Sequence, residues 1–317
     1  MIPLSREYLD LKIDFMFKQL FGQPSRKHIT IAFLNDLLGR KDEDRITDLT
    51  FENTEAVKDT EEGKTIRLDL LVNTAIGERI NVEIQIINQH DMPERILYYW
   101  AKIYASSIHS GQPYTMLKPT IMISILNYSL FKSETDSFHS LFHIKEETEN
   151  FPWSSHLEFH VFDLSSFMVQ WRKYRRQMMK EENKELPWLM MLSVADYREK
   201  KADAELLSEL EEWAMDREQV REALIEWETL SANKENRAIY EAKAKELRDL
   251  LSNLEGERRV GKEEGRKEGR KEGIKEGILK GKQEIALKML EDGYDISIIS
   301  EITELSEQEI VLLRNHN

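Results

Sequence analysis

The chain has no cysteine, so disulfides and thiolate metal sites are excluded. A reducing cytoplasm fits that composition. No stretch approaches the length of a membrane span. Met1 to Phe15 carries charge at Arg6, Glu7, Asp10, Lys12 and Asp14 and lacks the apolar run of a signal peptide. Basic residues are in deficit: 45 Lys and Arg face 59 Asp and Glu, a net charge of −14. That balance argues against broad, unspecific coating of nucleic acid, but leaves room for a local basic patch used with a bound cation. The 8 histidines show no metal-ligand spacing, and His139 and His143 sit in an apolar setting that reads as a half-buried element. Glycine is missing from residues 171–250, where Pro187 is the single proline.

What the chain does have is length and pattern. Its 317 residues suffice for one main domain with an appendage. Leu9, Ile13, Phe17 and Leu20 predict a helix from about Ser5 to Phe21, broken by Gly22 and Pro24. Ser25 is positioned to cap a second helix, which Gly39 ends. A strand is expected through Ile46–Glu55. A helix should open at Pro93 and stop before Gly111. Thr120–Leu126 is a near-continuous β-prone run of the kind found in a buried central strand. Phe138–Ile144 and Leu157–Leu164 read as further strands. The order predicts an α/β or α+β core with a mixed sheet flanked by helices, followed by a C-terminal helical extension.

Two segments carry the chemistry. Arg67–Val72 and Asn81–Ile86 each alternate apolar and polar residues, and Thr74–Glu78 between them has turn composition. They predict a β-hairpin with one apolar and one polar face. Because i and i+2 share a face, Glu83 and Gln85 point together while Val82, Ile84 and Ile86 face a core. Matching the apolar faces places Asp69 beside Glu83 or Gln85, with Glu83 the expected cross-strand neighbour, and a slip of one residue would exchange the two faces. Carboxylates held within ~5 Å by such pairing repel one another, and a divalent cation removes the repulsion. Mg2+ prefers oxygen ligands and keeps several waters, one of which it can polarise. Gln85 can exchange hydrogen bonds with that water but cannot carry its proton. The plain alternative is an amphipathic hairpin with a solvated polar face.

The hairpin, with Asp14–Gly22 upstream and Glu94–Trp100 downstream, resembles the PD-(D/E)XK nuclease superfamily, and more narrowly the Rpn family of recombination-promoting nucleases, also labelled transposases. The resemblance covers residues 5–195, including Leu186-Pro187-Trp188-Leu189, and extends to the glycine repeat and helical tail. It implies a restriction-endonuclease-like fold. It also implies that Asp69 and Glu83 ligate Mg2+, with Mn2+ as a substitute, and that Asp14 completes the shell. Lys18 shares the face of Asp14 one turn on. Leu68 stands where the superfamily pattern has Pro, and Gln85 stands where it has Lys. Gln is common there in the narrower family, yet the usual positive charge is gone. On the helix after the hairpin, Arg95 is positioned to contact phosphate or orient Glu83. The resemblance falls on Tyr99 as well.

Arg172, Lys173, Arg175 and Arg176, interleaved with Trp171 and Tyr174, form the densest basic cluster. It reads either as a DNA-backbone contact or as a charged helix face paired with Glu181, Glu182 and Glu185. Further on, Gly261, Gly265, Gly269, Gly273, Gly277 and Gly281 recur every fourth residue. Each costs a helix about 1 kcal/mol relative to Ala. Residues 256–282 are therefore either a self-associating helical arm or a flexible linker. From Gly261 to Lys282, 8 Lys and Arg face 5 Asp and Glu, so the segment is mildly basic. Gln283–Glu291 reads as a helix. Asp295 and Ser306 are N-cap candidates for two more, and Ser306 with Glu309 has capping-box spacing. A helix-turn-helix DNA reader here is opposed by the acidic content.

The expected organisation is a nuclease core over 1–195, a charged helical region over 196–255, the glycine repeat over 256–282 and a small helical tail over 283–317. The expected activity is Mg2+-dependent DNA cleavage linked to recombination, mobile elements or defence against foreign DNA. It would be carried by Asp69, Glu83 and Gln85 in a homodimer joined through the C-terminal region. The rivals are a catalytically weak nuclease-fold scaffold and an RNase.

Overall fold

The computed structural model describes residues 7–52, 68–178, 183–199 and 202–315. Ser5, residues 53–55 of the expected strand, Arg67, Glu181, Glu182 and the side chain of Arg176 lie outside that set. The chain divides into two compact units, Met1–Arg248 and Asp249–Asn317.

The first unit is built on a mixed six-stranded sheet in the order β1-β2-β3-β4-β6-β5. The strands are β1 (Leu49–Phe51), β2 (Leu70–Thr74), β3 (Arg79–Gln85), β4 (Thr120–Leu126), β5 (His139–His143) and β6 (Leu157–Asp163). β3, β4 and β6 run parallel, and the remaining neighbours pair antiparallel. β4 is buried at every position, as its near-continuous apolar run predicts. The β2–β3 connection is tight because Gly77 takes a positive φ of 86°, which lets its N–H reach the Thr74 carbonyl at 2.9 Å.

Helices cover the sheet. They are α1 (Asp14–Phe21), α2 (Lys27–Leu37), α3 (Met92–Ala105), α4 (Leu164–Met178), α5 (Leu186–Val194), α6 (Ala204–Asp216) and α7 (Glu218–Ala232). Phe17, Phe21, Phe33 and Trp188 from α1, α2 and α5 form one aromatic cluster. α3 lays Met92, Ile96 and Ile103 against Leu71, Met122 and Val161 of the sheet.

Four boundaries differ from the sequence reading. The strand expected through Ile46–Glu55 is confined, among the described residues, to Leu49–Phe51. α1 begins at Asp14, not near Ser5. Residues 7–13 are held out of helix because Asp10 accepts the N–H groups of Lys12 and Tyr197, while Leu9 is tied to Ser231 and Trp227. Ser25 does not cap α2; it sits inside a 3-10 turn, Pro24–Arg26, opened by the proline. The helix expected at Gln283–Glu291 is the end of a 58-residue helix, α8 (Lys234–Glu291). The glycine repeat lies within it, so the backbone there is helical.

In the second unit the end of α8 packs with α9 (Ile296–Thr303) and α10 (Glu307–Asn315) around Ala286, Ile299, Leu305 and Ile310. Gly293, at φ 83°, stops α8. Ser306 and Glu309 form the expected capping box, with Ser306 N–H donating to Glu309 Oε2 at 2.8 Å. Asp295 occupies the N-cap position of α9, but its side chain makes no capping bond. Among the described residues no helix is long and apolar enough to cross a membrane.

Candidate active site

The hairpin register decides the site. Leu70 pairs with Val82, so the next position outward sets Asp69 opposite Glu83. Asp69 N–H donates to Glu83 Oε1 at 3.3 Å, and Ile84 N–H donates to Asp69 Oδ2 at 2.9 Å. The cross-strand pairing expected from the apolar pattern is therefore present. The solvated polar face is not. β3 lies between β2 and β4 with α3 over the carboxylate face, which leaves Glu83 2% exposed and the Asp69 side chain 13% exposed.

Burial sets the electrostatics. Loss of hydration, with the Asp69 charge next, pushes the Glu83 carboxyl up to about 8. Asp69 rises to about 6, again chiefly by burial, against the pull of the Ile84 N–H and Lys18 and with a further push from Asp14. Tyr99 is also raised by burial and then by Glu83.

The elements converge on this pair. From α1, Lys18 Nζ stands 3.9 Å from Asp69 Oδ1, and Asp14, one turn back, adds its field. From α3, Arg95 and Tyr99 share a face at i,i+4. Arg95 Nη1 donates to Gln85 Oε1 at 3.0 Å, while its Nη2 holds Gln89 at 2.9 Å and Asp91 at 3.2 Å. Arg95 thus orients Gln85, not Glu83. With Oε1 engaged, the Gln85 amide keeps its Nε2 donor for a further partner.

Two polar residues belong here that sequence reasoning did not single out. Asn81 Nδ2 donates to Glu83 Oε1 at 3.1 Å. Ser124 is the register partner of Glu83 on β4. Both are buried, and Asn81 Oδ1 and Ser124 Oγ have no hydrogen-bond partner among the described residues. The signal was there: Asn81 has the parity of Glu83, and Ser124 interrupts an apolar run.

The basic cluster stands apart. No described interaction joins Arg172, Lys173 or Arg175 of α4 to the carboxylates. Arg175 pairs with Glu205 at 2.9 Å and with Glu209, both on α6, and Lys173 lies over the Tyr174 ring.

The donor set suits a hard divalent cation. Two carboxylates with several waters match the habit of Mg2+. The like-charge pair is buried beside one ammonium, which offsets only part of its repulsion. Asp14 does not complete a group of three: among the described residues no three carboxylates or imidazoles are gathered closely enough to hold an ion. Its Oδ1 instead accepts the N–H of Phe15 at 2.7 Å.

A model of the family described as PD-(D/E)XK nuclease family transposase matches residues 11–257. A second, described as the Rpn/YhgA-like nuclease family C-terminal HTH domain, matches residues 279–315. No curated protein and no solved structure matches the chain. The second match corrects the sequence-based argument against a helix-turn-helix: acidic surface residues leave the small apolar core of α8–α10 intact, because the fold depends on Ala286, Ile299, Leu305 and Ile310 and not on surface charge. The carboxylate pair in the hairpin of a mixed sheet and a match over most of the length lead to one assignment: the chain belongs to the PD-(D/E)XK nuclease family transposases, with the Rpn/YhgA-like HTH domain at its C-terminal end.

Proposed function

We propose that this protein is a divalent-metal-dependent DNA endonuclease, using Mg2+ with Mn2+ as a substitute. The observation that carries the reading is the buried Asp69–Glu83 pair, cross-strand neighbours whose carboxyls are both raised by burial. Asp69 and Glu83 would hold the cation, with Asp14 on α1 adding negative charge nearby and not a third ligand. Bound there, the cation supplies polarisation of a water and stabilisation of phosphate charge.

The chain's own groups do the rest. The backbone N–H groups of Asp69 and Ile84 fix one oxygen of each carboxylate, so the pair is pre-oriented. Gln85, locked by Arg95, presents its amide N–H to the attacking water or to a phosphate oxygen. Lys18 Nζ brings positive charge next to Asp69, which offsets the absence of the superfamily lysine at position 85. Arg172 and Lys173 are exposed and are candidates for more distant backbone contact. Arg175, already paired, is a weaker one. The match to transposase-type nucleases supports DNA breakage in recombination, mobile-element movement or defence, and the absence of cysteine supports work in the cytoplasm. The reading includes a homodimer joined through the C-terminal helical region.

The test is cleavage of supercoiled plasmid, with a structured RNA in parallel, in Mg2+ or Mn2+, by wild type, Asp69→Ala and Glu83→Ala. Metal-dependent nicking lost in both variants supports the assignment. Equal activity in all three sinks it, and cutting confined to RNA replaces DNA as the substrate.

A further inference from the structure

Residues 261–280 of α8 are exposed on every side, and six glycines between 261 and 281 weaken this stretch as an isolated helix. In proteins most helical stability comes from packing an apolar face, and this stretch has no packed face within its own unit. It does have an apolar pattern. Between residues 249 and 291 the exposed large apolar side chains of α8 are Leu250, Val260, Ile274, Ile278, Leu279 and Ile285. All but Leu279 fall at a or d of one heptad frame, with Leu250, Ile278 and Ile285 at a and Val260 and Ile274 at d. The seam is densest from Ile274 to Ile285, where Gly281 takes the remaining d position.

We propose that this seam is a self-association surface whose occupant is the same seam of a second copy, laid antiparallel about a two-fold near residue 276. The inference deepens the dimer reading above, on which it rests, and is independent of nuclease activity.

Charge selects the orientation. A parallel, in-register pair stacks Lys267, Lys271 and Glu264 each against its own copy within the seam. On its flanks it sets Arg270 against the other copy's Lys275, and Glu263 against the other copy's Glu268. Each of these contacts is repulsive. The antiparallel pair centred on 276 places Ile274 against the other copy's Ile278, twice. It brings Glu264 to Lys288, Arg270 to Glu284 and Glu268 to Lys282, each twice by symmetry, and leaves as like-charge contacts Lys275 facing itself near the centre and Glu263 against the other copy's Glu291 at the ends. Lys282 already pairs with Glu304 at 2.5 Å within its own chain, and an ammonium with three donors can serve both carboxylates. Lys267 and Lys271 fall opposite Ile285 and Gly281, where their aliphatic stems cover apolar surface and the missing glycine side chain leaves room.

The cysteine-free chain allows a clean test. Full-length single-cysteine variants are treated with a short bis-maleimide, and the mass of the untreated wild type is read by light scattering. The antiparallel seam predicts a dimer mass, a covalent dimer from Gly277→Cys, none from Ile285→Cys, and a cross-linked heterodimer when Glu264→Cys is mixed with Lys288→Cys. At 1.5 Å per residue, two Ile285 positions in that arrangement lie about 27 Å apart. Efficient cross-linking of Ile285→Cys alone means a parallel pair and overturns the orientation. A dimer mass with no cross-link in any variant places the dimer elsewhere and overturns the seam. A monomer mass overturns the dimer reading itself.

Discussion

Glu83 Oε1 accepts two hydrogen bonds, from the backbone N–H of its cross-strand neighbour Asp69 at 3.3 Å and from Asn81 Nδ2 at 3.1 Å. One oxygen of a nearly inaccessible carboxylate is thus pinned by its own strand and by the facing one. The geometry is bought with repulsion, because Asp69 and burial together disfavour the charged form. Glu83→Gln keeps the shape and removes the charge. The metal-free variant should melt a few degrees above wild type, while DNA cleavage falls by about 100-fold or more, the scale of losing one charge-stabilising group. A lower melting temperature with cleavage intact would falsify both the repulsion and the role.

Arg95 reaches Gln85 at 3.0 Å from the neighbouring helix and anchors its other arm on Gln89 and Asp91. Arg95→Ala should release the amide and slow single-turnover cleavage roughly 10-fold, near the lower end of what positioning contributes. Because Arg95 is partly exposed, the melting temperature should move by little. A large stability loss with an unchanged cleavage rate would assign Arg95 to structure alone.

Asp10 and Lys12 form a buried ion pair at 2.9 Å that closes the N-terminal segment onto α5. Lys12 Nζ also donates to the carbonyls of Leu192 at 2.9 Å and Ala195 at 2.8 Å, and Asp10 accepts the N–H of Tyr197 at 3.0 Å. Asp10→Ala leaves a buried ammonium without its counter-charge, and about 3–5 kcal/mol of unfolding free energy should be lost. Urea melts measure it; a loss below about 1 kcal/mol would mean that water replaces the carboxylate at no great cost.

His139 stacks on Phe162 and meets His160 at 3.0 Å between ring nitrogens, while the far nitrogen of His160 meets Glu158 at 2.7 Å. Burial, and then the neighbouring His160, lowers the His139 pKa to about 4. Its unfolded value is near 6.5, so between these limits the unfolded chain binds more protons than the folded one. Stability is therefore full above pH 6.5 and declines as pH falls towards 4, with a slope of at most about 1.4 kcal/mol per pH unit from this residue. His139→Gln should flatten the decline of the melting temperature across that window. An identical slope in the variant would place the acid sensitivity in other groups.

Much of this protein was legible before any coordinates. The alternation in Arg67–Val72 and Asn81–Ile86 determined the hairpin and which side chains share a face, because a one-residue slip would separate the apolar faces, and it left Asp69 beside Glu83 or Gln85; the observed register chose Glu83. The apolar run at Thr120–Leu126 determined the central strand, and the Ser306–Glu309 spacing determined the cap of α10. These are local properties, set by dihedral preference and side-chain parity. Tertiary structure decided what depends on neighbours distant in sequence. It buried the polar face of the hairpin by adding β4 on one side and α3 above, and so turned a solvated carboxylate pair into a strained one. It delayed the start of α1, because Asp10 found Tyr197, 187 residues away. It drew Arg175 to Glu205 and Glu209 on a helix remote in sequence. The cause is the same each time: period and spacing specify which way a side chain points, whereas its partner and its exposure are settled only when remote segments close over it.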